Sequence, residues 1–168
     1  GKHIGNFGLT YSTMGAILKY PCESLATDKS GNKIQQKKYG FFKAEENDFL
    51  EITKELNMVR EVNENDSRII YKRHPFVYLV EAADDICYNI IDFEDAHRLK
   101  ILSYEKVKAL LLPLCNDEKM PHRLEEFEDA DAKVSYLRAK SINNLIMQFS
   151  EVFFKEKDAI YQVRIVKM

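Results

Sequence analysis

No apolar run in this chain approaches the roughly 18 residues that a membrane span requires. No signal-peptide pattern opens it either. Together these absences point to a cytoplasmic protein with no membrane partner. Cysteine is scarce and odd in number: Cys22, Cys87 and Cys115 stand far apart. That spacing argues against a zinc centre or a disulfide framework and for reduced thiols. Cys87 falls among apolar residues and is expected to pack as a small buried hydrophobe. There is no glycine-rich phosphate loop and no nucleophile elbow. None of His3, His74, His97 and His122 forms a His-Asp dipeptide or pairs with another at ligand spacing. His97 and His122 lie in charged surroundings and read as surface residues. A net charge of -2 is too small for a general nucleic-acid or membrane-surface binder.

What is present suits one globular domain. The 168 residues are enough for a core, and 45% apolar with 31% charged residues is ordinary for a globular chain. Lys29, Lys33, Lys37, Lys38 and Lys43 make a basic segment, and Glu125, Glu126, Glu128, Asp129 and Asp131 an acidic one. Both read as solvated surface, although the basic segment could attract a polyanion. The chain opens on Gly1 and its last residues carry no clear stop, so it is expected to be a piece of a longer polypeptide.

Hydrophobic periodicity predicts a mostly α fold. Leu9 to Tyr20 fits a short helix that Pro21 ends. Pro21 to Gly40 is lysine-rich, with a turn signal at Ser30-Gly31-Asn32, and reads as a loop or small hairpin. Phe49, Ile52, Leu56 and Val59 repeat at helical spacing. Pro75 can open a helix that runs to about Leu99. Ser103 is placed to cap a helix through Leu112 that Pro113 would close. The acidic segment would begin a last long helix, where negative charge suits the positive end of the macrodipole. Tyr161 to Val166 reads as a strand or as the next helix.

The helix after Pro75 carries the strongest pattern. Leu79, Ala83, Ile86, Ile90 and Phe93 form a stripe that Val80, Cys87 and Ile91 widen, so most of its circumference looks buried. Asp84, Tyr88 and Asp92 interrupt it at spacings of four. Four residues advance about 400° around a helix, so each side chain sits about 40° from the last, and the line spans about 12 Å. Buried carboxylates need a partner or a metal. Two readings follow: ion pairs with basic residues of other helices, or a site. In a site, Asp84 could bind a hard divalent cation, Tyr88 could stack, and Asp92 could accept from a sugar hydroxyl.

Residues 73–88, Arg-His-Pro-Phe-Val-Tyr-Leu-Val-Glu-Ala-Ala-Asp-Asp-Ile-Cys-Tyr, resemble a signature of the dGTP triphosphohydrolase family in the HD-domain superfamily, and Asp92-Phe93-Glu94-Asp95 continues it. Residues 9–21, 38–42 and 136–146 are similar to the same family, in family order and over most of the chain. The resemblance implies a partial helical HD-domain-like bundle. It makes residues 1–168 the central and C-terminal part of such a domain. The family's metal is held by a His, a His-Asp dipeptide and a distant Asp, and Asp84 matches that distant Asp. Tyr88 and Asp92 match nucleotide contacts, Asp92 at the sugar 3′-hydroxyl. Lys19 and Tyr20 match a pair near the substrate pocket, and Arg138 could face phosphates or form a helix-surface ion pair. The His and His-Asp ligands would precede Leu9 and are absent here.

The implied parent is a divalent-metal (magnesium, manganese or similar) enzyme. It would cleave a deoxynucleoside triphosphate to deoxynucleoside and tripolyphosphate. Homo-oligomers are expected, and nucleic acid only as a regulator. The alternative is a non-catalytic helical module for nucleotide binding or oligomerisation.

Overall fold

A computed structural model describes residues 3–4, 8–28, 30, 33–61 and 67–165, with side chains only between 8 and 161. Six α-helices dominate the described residues, so the mostly α expectation holds. The chain divides into two compact units, Gly1–Val80 with Lys157–Met168 and Glu81–Glu156.

In the first unit, β1 (His3–Ile4) pairs antiparallel with β2 (Leu9–Thr10). Helix α1 (Tyr11–Ile17) follows at once, and the Thr10 hydroxyl caps it by accepting from the Thr13 N–H at 3.2 Å. The predicted helix over Leu9–Tyr20 is therefore shorter at both ends. Leu9 and Thr10 are extended, and beyond Ile17 the Lys19 N–H turns back onto the Ile17 carbonyl at 2.8 Å. Helix α2 (Glu46–Glu55) buries Phe49 and Ile52, but it stops short of the expected Leu56 and Val59, since Asn57 turns left-handed at φ 49°. Phe49 stacks on Phe41 with centroids 4.1 Å apart and meets Tyr71 edge-on, and Tyr11 and Leu18 complete this core. The Tyr11 hydroxyl donates to Glu51, which pushes the phenol up to about 12 and ties α1 to α2.

Between α1 and α2 the chain makes short 3₁₀ turns at Ser24–Ala26 and Ile34–Gln36. The Asp28 N–H donates to the Gln36 carbonyl at 2.7 Å, and the buried Gln36 amide donates to the Ala26 carbonyl. The segment is a loop with no strand ladder among its described residues; Gly31 and Asn32 of the expected turn lie outside them.

In the second unit, the later part of α3 (Phe76–Arg98) packs with α4 (Tyr104–Cys115), α5 (Met120–Leu124) and α6 (Ala130–Ile165). Ile90, Val107, Leu111, Met120, Leu124, Val134 and Leu137 form the core. Pro113 does not close α4, which continues to Cys115. Proline removes only its own N–H, and two α6 side chains bond carbonyls near the helix end, of which Leu114 is among the last four that have no intrahelical partner. Ser141 donates to the Leu111 carbonyl at 3.1 Å and Asn144 to that of Leu114 at 2.8 Å. Asn116, left-handed at φ 47°, then ends the helix. The acidic segment partly spans a connection: Asp129 caps α6 by accepting from the Ala132 N–H, and Asp131 lies in the first turn. Residues 161–165 are neither a strand nor a next helix but continue α6, because the long helix does not end before them; residue 166 lies outside the described residues.

Two glycines are fixed by close approach. A Cβ on Gly40 would stand 2.2 Å from the Tyr20 carbonyl oxygen, whereas one on Gly15 would meet chiefly the flexible end of Leu56. Backbone cannot yield as a side-chain tip can. Gly40→Ala is therefore expected to cost about 1–3 kcal/mol and Gly15→Ala less, as measured by urea unfolding. Equal midpoints for the two variants would contradict this ranking.

Candidate functional site

Asp84, Tyr88 and Asp92 lie on one solvent face of α3, as their spacing predicts. The burial expected for them is not found: all three are exposed, Tyr88 to 68%. Asp85, Asn89 and Asp95 share the exposed side, and Val80 and Ala83, both expected in the apolar stripe, are exposed too. The later part of the helix is therefore two-sided, and burial cost no longer argues for a site. What remains is an aromatic ring held in water between two carboxylates, one helical turn from each.

The buried carboxylate of α3 is instead Glu94, only 3% exposed. It accepts from the Ser135 hydroxyl and from Arg98 at 3.2 Å, and Arg138 Nε approaches its other oxygen to 3.2 Å. Arg138 thus takes the ion-pair alternative, with an acid that periodicity passes over. His97 corrects a second expectation, since it is buried rather than at the surface. Its Nδ1 faces the Leu102 carbonyl at 3.1 Å and its Nε2 faces Asp131 at 3.2 Å. His122 is exposed, as expected. Ile90, Glu94 and His97 fall at spacings of four and three, the period of one helix face. That signal was available in the sequence: polar residues continuing an apolar stripe.

Lys19 and Tyr20 lie in the first unit, on a segment whose backbone is tied down repeatedly. Arg73 Nε donates to the Lys19 carbonyl at 3.0 Å, the Tyr71 N–H to that of Pro21 at 2.9 Å, and the Gly40 N–H to that of Cys22 at 3.0 Å. The Arg73 guanidinium lies 5.5 Å from the centre of the Tyr78 ring in the first turn of α3. His74 is buried beside Gly15, and its Nδ1 accepts from the Phe76 N–H at 3.2 Å. That bond meets one of the N–H groups that a helix start leaves open, which gives His74 a structural task.

Asp84 carries no ion pair or side-chain hydrogen bond among the described residues. An exposed, uncommitted carboxylate fits one ligand position of a hard divalent cation. No group of three His, Cys, Asp or Glu that could hold a metal ion occurs among the described residues. Nor is any of their helices long and apolar enough to cross a membrane.

No family model matches the chain. Curated proteins do. A deoxyguanosinetriphosphate triphosphohydrolase-like protein of Pseudomonas aeruginosa is 36% identical over 159 residues, which cover 93% of this chain and 34% of the relative. The protein of that name in Synechocystis is 31% identical over 162 residues, with 93% and 34% covered. A deoxyguanosinetriphosphate triphosphohydrolase of Yersinia pestis is 41% identical over 101 residues, covering 59% of this chain and 18% of the relative. The chain is thus a predominantly helical member of an enzyme-related family. It belongs to the deoxyguanosinetriphosphate triphosphohydrolase-like proteins. It spans about a third of the length of the curated relatives it matches.

The three thiols offer a check on this geometry. Burial pushes Cys22 up to about 11 and raises Cys115, whereas Cys87, expected to be buried, is only half-buried. The thiolate is the reactive form. At pH 8, Cys87 is expected to react rapidly with an aromatic disulfide reagent, and Cys22 and Cys115 only on unfolding. Rapid titration of all three thiols in the folded chain would contradict the described packing.

Proposed function

We propose that this chain is the central segment of a cytoplasmic, metal-dependent deoxynucleoside triphosphate triphosphohydrolase. In this reading water attacks the α-phosphorus, the bond to the 5′-oxygen breaks, and deoxynucleoside and tripolyphosphate leave. The observation that carries the reading is the exposed line of Asp84, Tyr88 and Asp92 in a chain of this family. Asp84 would be one of the residues that hold a divalent cation, together with upstream His and His-Asp ligands. A bound cation would supply Lewis-acid polarisation of a phosphate oxygen and lower the pKa of a bound water. Tyr88 lays its ring against the deoxyribose and leaves no room for a 2′-hydroxyl. Asp92 accepts from the 3′-hydroxyl, about 12 Å along the helix from Asp84. Lys19 and Tyr20 match family positions that are expected near the substrate.

A second reading is a non-catalytic nucleotide-binding or oligomerisation module. The exposed Ile146, Met147, Val152 and Phe154 of α6 favour it, since exposed apolar side chains suit assembly. The coding sequence upstream separates the two. A His and a His-Asp dipeptide support the enzyme, and their absence supports the module. In the enzyme reading the parent forms homo-oligomers, and nucleic acid acts only as a regulator.

Two experiments test the enzyme reading. With manganese and dGTP, the complete protein is expected to release tripolyphosphate and the 168-residue chain none. Metal-dependent turnover by the chain alone would sink the assignment of the missing ligands. In the complete protein, Tyr88→Ala is expected to lower the preference for dGTP over GTP by about tenfold or more, an effect of about 1.4 kcal/mol. Unchanged discrimination would count against the tyrosine contact.

A further inference from the structure

Glu94 lies between about 80° and 160° around α3 from Asp84, Tyr88 and Asp92, by the 100° per residue of a helix. It is on the back of the helix whose front carries them. Its stripe, Ile90, Glu94 and His97, meets a complementary stripe on α6 at matching spacing, Asp131, Ser135 and Arg138. The two helices run antiparallel here. His97 faces Asp131, and Glu94 faces Ser135 and Arg138. Apolar side chains would fill this seam with no desolvation cost, and buried ion pairs often add little stability over them. What an ion pair adds is direction. Leucine against leucine tolerates a small rotation of either helix. A carboxylate that needs a hydroxyl and a guanidinium on a neighbouring helix does not.

We propose that Glu94 and Arg138 are positioning residues, which fix the rotation and register of α3 and so aim Tyr88 and Asp92 at the sugar. The functional half rests on the reading of that face given above. A one-residue slip of α3 would turn the face by 100° and carry Tyr88 toward the core side. Glu94 does not touch the ligand in this scheme; it acts through the helix. Arg98 is on α3 itself, so it neutralises Glu94 without fixing the helix against its neighbour. The Ser135 hydroxyl supplies that restraint through its hydrogen bond, and Arg138, whose Nε stands 3.2 Å from the carboxylate without a hydrogen bond, supplies the opposing charge from α6.

The test has two arms. In the chain itself, 3-fluorotyrosine replaces tyrosine, and the Tyr88 fluorine resonance is assigned by its loss in Tyr88→Phe. Glu94→Gln and Arg138→Lys are expected to shift and broaden the Tyr88 resonance. Leu111→Ala, a cavity in the same core that removes none of the polar contacts of the seam, is expected to leave it in place despite a comparable loss of stability. Should Glu94→Gln fail to fold, Ser135→Ala and Arg138→Lys carry the same measurement. In the complete enzyme, Glu94→Gln is expected to raise KM for dGTP about tenfold with kcat within about threefold. It is also expected to reduce the preference for dGTP over its 3′-deoxy analogue. A Tyr88 resonance unmoved by the seam variants, or moved equally by Leu111→Ala, overturns the proposal. So does a moved resonance with KM and sugar preference unchanged. A moved resonance in a complete protein that releases no tripolyphosphate overturns the assigned activity and leaves the positioning of Tyr88 standing.

Discussion

Burying Glu94 commits the later half of α3 to one rotation about its own axis. A carboxylate taken from water without partners would cost several kcal/mol. The helix can hold it there only with a hydroxyl and two guanidiniums in reach. Ser135 and Arg138 come from α6, so the cost is met only when the two helices share one register. His97 and Asp131 repeat the arrangement one turn along. The exposed row of Asp84, Tyr88 and Asp92 is the other side of the same commitment.

The first unit solves a similar problem by different means. The Lys19–Tyr20 segment has little regular structure to hold it. Its carbonyls are instead taken up by Arg73, Tyr71 and Gly40, and Gly40 sits so close to Tyr20 that no larger residue fits. In one unit a side-chain seam does the orienting; in the other, backbone contacts do. Both devices place residues of the family-like stretches, and neither requires those residues to be buried. Exposure of Tyr88 and Asp92 is therefore compatible with a defined geometry.

Much of this was legible in the residues. Pro75 before a helix, the 3.6-residue period of Phe49 and Ile52, and Asp129 at the start of α6 depend on local geometry, which neighbouring residues decide. The errors share a cause. Pro113 looked like a stop because a sequence does not display Ser141 and Asn144, 28 and more residues on, bonding carbonyls near the helix end. His97 looked like a surface residue because its neighbours in sequence are charged, whereas its neighbours in space are the Leu102 carbonyl and Asp131. Asp84 and Asp92 looked buried because a helix with many apolar residues need not bury them all. Val80 and Ala83 face solvent in this chain.

The sequence by itself determined the helices, the family and the spacing that puts Asp84, Tyr88 and Asp92 in one line, because spacing along a helix is a property of the backbone. Only the tertiary structure decided which side of that helix faces water. That choice depends on where the donors for Glu94 stand, and they lie about forty residues away, on α6. Periodicity measures angles around an axis and carries no sign for inside or outside when both sides hold acids and apolar residues. The partners of one buried carboxylate supply that sign.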